Sequence, residues 1–382
     1  MLLNVLPHLP KHGLESILMS PAGQLQQEAE KLGVEARTCR SLDARFTWNP
    51  WKLLAYLRSF ILSIRSIRRQ LRELQPELVH ANSIRAGLVA TAATVGFNTP
   101  IIWHVHDTLA FHPFSPAIRI VAALSRRTSC IAVSRATGRT FAGAFLRHSI
   151  AAKTEVLHNA IRPNSTFSLQ ERSQLRSRLG VGDRFLIGCV AQICTRKNQV
   201  GLVEIFAEAL KSRPEMVLLI AGSALFPCNG PYEQKLHQRI RELGISERVQ
   251  LLGSRDDVPL LLETMDMLVL PSIHDPFPMI ILESMAAGLP VAAFSVDGVP
   301  ELIADGRTGW LVPSGDRVQM ARTILWAERS PAQRRRLAEA ARRTALTNSL
   351  PAYANTFAGI LRARAVKSRE HPQPLASATE HA

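Results

Sequence analysis

Acid is scarce in this chain: 31 Asp and Glu stand against 46 Lys and Arg over 382 residues, a formal charge of +15. A positive field of that size draws in polyanions such as nucleic acid, anionic lipid headgroups or phosphorylated small molecules, without choosing among them. Nucleic acid is disfavoured, because there is neither paired Cys/His zinc spacing nor a run of aromatic and basic residues able to stack bases. Close cysteine pairs are missing too. Cys39, Cys130, Cys189, Cys194 and Cys228 are odd in number and contain no CxxC, which argues against a disulfide framework and suits buried, reduced thiols in a cytoplasmic protein. No apolar stretch reaches the roughly eighteen residues of a membrane-spanning helix. The first Lys or Arg is Lys11, so the start lacks the basic region of a secretory signal.

What is present is an ordinary folded composition, 46% hydrophobic and 20% charged, in a chain too long for one core. Short β-rich apolar runs alternate with longer amphipathic ones, the pattern of parallel sheets built from βαβ units. Strands are expected at 77–80, 100–105, 130–133 and 154–157, and again at 185–190, 216–221, 249–252, 267–270, 291–294 and 310–312. The fold class is α/β: two doubly wound Rossmann-like domains over 1–163 and 164–345, then a helix over 346–365 and a disordered tail over 366–382, rich in charge, Pro, Ser and His. In such sheets ligands bind beyond the carboxyl ends of the strands.

One such loop is PSIHDPFP (271–278), followed by MIILESMAAG (279–288). The second stretch reads as a helix closed by Gly288 at its C′ position, with Pro278 in the first turn, where a missing N–H costs nothing. Phe277, Pro278, Met279 and Ile280 then mark a helix N-terminus whose free N–H groups and positive dipole end suit a phosphate. Asp275 stands at its mouth, placed to cap the helix or to bind a ligand hydroxyl. Glu283 lies eight residues on, among Ile281, Leu282, Met285 and Ala286. A carboxylate on an apolar turn needs a partner, and two adjacent ribose hydroxyls would serve. A plainer assignment fits the same residues, with Asp275 as an N-cap and Glu283 solvated or paired with an Arg.

With Asp275, Glu283, Gly288 and Pro290, the stretch 271–291 resembles the nucleotide-sugar signature of the retaining glycosyltransferases of family 4, whose two Rossmann-like domains face a cleft in the glycosyltransferase B fold. The family has Glu where Asp275 stands, so the side chain here is shorter by about one methylene. The resemblance implies that Asp275 contacts the donor sugar and Glu283 the ribose. CVAQICTRKNQVGLVEIF (189–206) resembles the strand and loop in which an Arg and a Lys hold the donor diphosphate. Lys197 takes the Lys place, whereas Gln192 stands at the Arg place, a lost charge that Arg196 is positioned to offset. Charge matters there because negative charge grows on the diphosphate as the glycosidic bond breaks.

LLGSRDDV (251–258) resembles the loop that passes near the nucleotide base, assigning Gly253, Ser254 and Arg255 to it, although Arg255 can equally pair with Asp257. VDGVPELIADGRTGWLVPSGD (296–316) matches segments that follow the signature, with Glu301 read as structural. PIIWHVHD (100–107) resembles the strand carrying a His near the reaction centre, here His106; a strand-end His bonded to backbone is the rival role.

The resemblance implies sugar transfer, with retention, from a nucleotide-diphosphate sugar to a hydroxyl of a glycan or lipid-linked acceptor, in cell-envelope, exopolysaccharide or lipopolysaccharide biosynthesis. His106, Lys197 and Asp275 are the expected catalytic residues, with the donor in the C-terminal domain and the acceptor in the N-terminal one. No cofactor is expected, and no obligatory metal, because no Asp-x-Asp occurs. A nucleotide-sugar epimerase of the same architecture, or an inactive partner-binding subunit, are the alternatives.

Two further stretches bear on this. The segment 51–74 carries Lys52, Arg58, Arg65, Arg68, Arg69 and Arg72 among Trp51, Leu54, Leu57 and Ile61. It reads as a domain helix with a wet basic face and, given the net charge, also as a helix able to lie on the anionic inner surface of the cell membrane. At the start, LESILMSPAGQLQQEAEKLGVEA (14–36) resembles the family's second strand, loop and helix, and MLLNVLPHLPKHG (1–13) reads as the end of a first helix, or NVLPHLPKHG (4–13) within it as a first strand and loop. Either way the N-terminal domain is expected to be about one βα unit short.

Overall fold

Each of the ten apolar runs is a strand in the computed structural model, with ends shifted by at most two residues. The structure describes residues 1–40, 49–109, 114–144, 146–162 and 167–370. They divide into two units, Met1–His158 with Leu350–Ala382, and Asn159–Ser349.

In the first unit β1 (Ile17–Ser20) and β2 (Glu35–Thr38) pair in parallel, and β3 (Val79–Ala81), β4 (Ile101–Val105), β5 (Thr128–Ala132) and β6 (Thr154–Val156) form a parallel sheet in that order. β4 and β5 are buried along their whole length, as parallel strands covered on both faces must be. Their core holds Ile101, Trp103, Cys130 and Phe141. Ser83 and Ser134 accept N–H bonds at the starts of the helices Ile84–Ala93 and Arg135–Ala142, satisfying donors that a helix cannot use itself.

The opening residues are helical, Leu2–Val5 and then Leu6–His12, with Val5, Leu6 and Leu9 buried; of the two sequence assignments for 1–13, the helix is the one observed. They pack against the helix Leu350–Glu370, which returns to this unit and inserts Tyr353, Ala354, Phe357, Ala358 and Leu361 into it. That helix runs five residues past position 365, so the tail expected from 366 begins inside it, and positions 371–382 lie outside the described residues.

In the second unit β7 (Leu186–Val190), β8 (Val217–Ala221), β9 (Val249–Gly253), β10 (Met267–Leu270), β11 (Val291–Ser295) and β12 (Trp310–Pro313) form one parallel sheet in the order β12-β11-β10-β7-β8-β9. The chain winds outward from β7 through β8 to β9, then crosses back and winds the other way from β10. The winding reverses between β7 and β10, where the loops diverge and leave a crevice. Ile187, Phe206, Leu218, Met267, Val269 and Phe294 fill the core beneath. The chain enters this unit through Ile161 and leaves through Ser349, which form a β-bridge.

Candidate active site

The loops after β7 and β10 meet at that reversal. Beyond β7 the chain makes a short 3-10 turn, Thr195–Lys197, and Asn198 in a left-handed conformation (φ +57°) redirects it into the helix Gln199–Leu210. The Ile273 N–H donates to the Arg196 carbonyl at 2.8 Å, and Asn198 Nδ2 to the Pro271 carbonyl at 3.2 Å. Lys197 Nζ donates to Asp275 Oδ2 at 2.5 Å, and Ser272 Oγ to the same oxygen at 3.1 Å. Arg196 Nη1 stands 3.8 Å from Asp275 Oδ1. Asp275 is nearly inaccessible, its side chain 5% exposed against 12% for Lys197. A carboxylate buried that deeply is stable only when neutralised, since removing a lone charge from water costs several kcal/mol.

Asp275 therefore does not cap the helix. The N-cap is Pro278, one residue outside the helix rather than in its first turn, and the helix Met279–Ala286 has no side-chain cap. The Ile281 N–H donates to the Pro278 carbonyl at 3.1 Å, while those of Met279 and Ile280 have no partner among the described residues and are open to an anion, assisted by the dipole. Gly288, at φ +72°, follows the C-cap Ala287 as expected of a C′ residue. Glu283 is half-buried on this helix, and its side chain has neither a hydrogen bond nor an ion pair among the described residues. Burial pushes its carboxyl above the ordinary range.

Gln192 lies just beyond β7, where its carbonyl accepts from the fully buried Gln199 at 2.8 Å. Gly222, after β8, is needed because a Cβ there would stand 1.9 Å from the Ala191 carbonyl oxygen, and its φ is +140°. Gly222 donates its N–H to Gly253 at 2.7 Å. Arg255 is engaged by Asp257 at 2.8 Å and 2.5 Å, the surface pairing that competed with a base contact.

Sequence reading missed Asp297. Its Oδ2 accepts the Asp275 N–H at 2.8 Å, yet within VDGVPE it looks like any turn residue, and only the adjacency of β10 and β11 reveals the bond.

His106 stands in the first unit, just beyond β4. Its Nε2 is 2.8 Å from Asn82 Oδ1. With the amide oxygen as acceptor, Nε2 carries the proton and Nδ1 is left as an acceptor; the partner is a side chain, not backbone. The ring stacks on His104 at 4.1 Å, and His104 Nδ1 lies 3.2 Å from His80 Nε2. Burial lowers the pKa of all three, that of His80 to about 4, so they are neutral at pH 7. The structure thus gathers Arg196, Lys197 and Asp275 into one cluster, sets Glu283 on the adjoining helix, and commits Arg255 to Asp257.

Residues 171–344 match the family model described as glycosyl transferases group 1, and residues 1–165 the model described as Glycosyltransferase Family 4. The alpha-D-kanosaminyltransferase of Streptomyces kanamyceticus is 26% identical over 325 residues, 81% of this chain and 83% of that protein. The putative glycosyltransferase EpsD of Bacillus subtilis is 32% identical over 200 residues, 52% of this chain and about half, 49%, of that protein. Anabaena HepE, solved in complex with UDP-glucose, is similar in structure with a TM-score of 0.80 at 25% identity, over 95% of both chains.

Proposed function

Since this chain belongs to the group 1, family 4 glycosyltransferases, with two Rossmann-like units of the glycosyltransferase B fold, we propose that it transfers a hexose from a nucleotide-diphosphate sugar to a hydroxyl of a glycan or lipid-linked acceptor, with anomeric configuration retained. One observation carries this reading furthest. Glu283 is half-buried beside an uncapped helix start and lacks a partner of its own among the described residues. A ribose diol supplies two O–H donors to such a carboxylate, and a diphosphate supplies the anion the helix start lacks.

In the resting site Lys197 neutralises Asp275. An arriving diphosphate competes for that ammonium, and a sugar hydroxyl then takes over one oxygen of Asp275. As the glycosidic bond breaks, charge accumulates on the leaving diphosphate, where Lys197, Arg196 and the amides of Met279 and Ile280 are already in place. Gln192 provides no charge at this point. Gly253 and Arg255 act on the base only if Arg255 exchanges Asp257 for it. His106, neutral and with Nδ1 unpaired among the described residues, is the group of the first unit that the family resemblance offers to the reacting sugar.

The acceptor is assigned to an anionic membrane surface, in the synthesis of envelope or extracellular polysaccharide. No helix among the described residues is long and apolar enough to cross a membrane. The helix Pro50–Leu74 nevertheless exposes Trp51 (78%), Leu54 (60%), Leu57 and Ile61 together with Arg58, Arg65, Arg69 and Arg72, and Glu73 is its sole acid. This arrangement suits peripheral attachment to the cytoplasmic leaflet.

The test is a thermal-shift screen of UDP, GDP and their sugar conjugates with wild type and Glu283→Ala. A nucleotide should raise the melting temperature of the wild type and leave the variant unmoved; an equal shift in both would remove the ribose role. Product analysis with and without acceptor separates a transferase from an epimerase and from an inactive subunit.

A further inference from the structure

Asp275 is held at two points. Lys197 and Ser272 take its carboxylate, and the turn after β11 takes its backbone. In that turn Asp297 accepts the Asp275 N–H at 2.8 Å, and the Gly298 N–H donates to the Asp275 carbonyl at 3.2 Å. Asp297 delivers its oxygen from a left-handed backbone, φ +41°, a conformation shared among the described non-glycine residues only with Gln75 and Asn198. Glycine would adopt it without steric strain.

The carboxylate is also poorly compensated. Its side chain is 16% exposed, no Lys or Arg pairs with it among the described residues, and the nearest positive candidate is the exposed His274, whose Nδ1 lies 3.5 Å away. Asp297 therefore combines backbone strain with a second negative charge close to Asp275, although a glycine would close the same turn more easily. Its one strong bond goes to the backbone of the acid at the mouth of the site. Asp275 has a short side chain, so a small backbone drift there moves its oxygens away from Lys197 and from any hydroxyl they are meant to meet.

We propose that Asp297 is a positioning residue for the reaction: with Gly298 it clamps the Asp275 backbone and fixes the reach of that carboxylate toward the donor sugar. The clamp rests on the reading of Asp275 as the donor-sugar contact.

Two variants test it. Asp297→Gly keeps the left-handed turn and deletes the acceptor; Asp297→Asn keeps an acceptor oxygen and tolerates the conformation. Amide hydrogen exchange over the segment containing Asp275, thermal melting, and turnover of UDP-glucose and GDP-mannose are compared with wild type. Asp297→Gly should melt at or above the wild-type temperature while Asp275 exchanges at least about tenfold faster. Its kcat should fall by about 10- to 100-fold, as misplacement of a reacting group does, with KM little changed, and Asp297→Asn should recover most of both. Wild-type exchange at Asp275 in the glycine variant overturns the clamp. So does a lower melting temperature with faster exchange throughout, which would mark a merely structural residue. The exchange measurement needs no donor, so failure of the donor reading, seen as an equal nucleotide shift in wild type and Glu283→Ala, is told apart from failure of the clamp.

Discussion

At the scale of single residues, Lys197 and Asp275 depend on each other in the absence of ligand. Replacing Lys197 by Met strands a carboxylate whose side chain is 5% exposed. Breaking a buried pair in this way costs about 3–5 kcal/mol, and on the proposed role of Lys197 the loss of its charge beside the departing diphosphate costs about 100-fold or more in kcat. Urea unfolding and steady-state kinetics on Lys197→Met should show both losses. If stability falls while kcat is untouched, Lys197 serves only the fold. Ser272, which donates to the same oxygen, softens the stability loss without replacing the charge.

At the scale of elements, the helix Pro50–Leu74 makes its own prediction. Its exposed side is apolar over Trp51, Leu54, Leu57 and Ile61, and basic from Arg58 to Arg72. Vesicles containing anionic lipid should bind the protein, and that binding should weaken as salt rises, because screening shortens the reach of the arginines. Trp51→Ser with Leu54→Ser should weaken it at constant charge, measured by co-sedimentation; binding that ignores both salt and the serines would reject the surface. The elements themselves were legible where burial writes itself into sequence. β4, β5, β8 and β10 are buried throughout; β8 and β10 read as continuous apolar runs, and β4 and β5 as largely apolar ones. β2 escaped because Glu-Ala-Arg-Thr is half in water and has no such run. In the site, Lys197 and Asp275 were singled out by family resemblance, whereas the 2.5 Å contact between them joins two loops far apart in sequence and could not be read from either stretch alone. The Pro278 boundary was off by one residue, since proline suits the cap as well as the first turn. Asp297 was invisible because its role arises from two strands adjacent in space and not in sequence.

At the scale of the whole molecule, the first unit contains a titration device. His80, His104 and His106 are held neutral by burial, and Phe357 of the returning helix lies edge-on to His80 at 5.1 Å. A histidine whose folded pKa is depressed contributes stability that is complete above its unfolded value and is lost as pH falls toward the folded one. For His80 the window runs from 6.5 down to about 4, worth on the order of 3 kcal/mol. Melting temperature should therefore fall between pH 7 and pH 4, and His80→Gln should flatten that slope; an equally steep profile in the variant would place the loss elsewhere. The second unit has a consequence of another kind. It begins and ends side by side, with Ile161 and Ser349 bridged and the Ile161 N–H bonded to Asn348. A block with adjoining ends can be lifted out and another spliced in with little disturbance to its host. Exchange of this half as a cassette would leave the sheet of the first unit and its returning helix as they are.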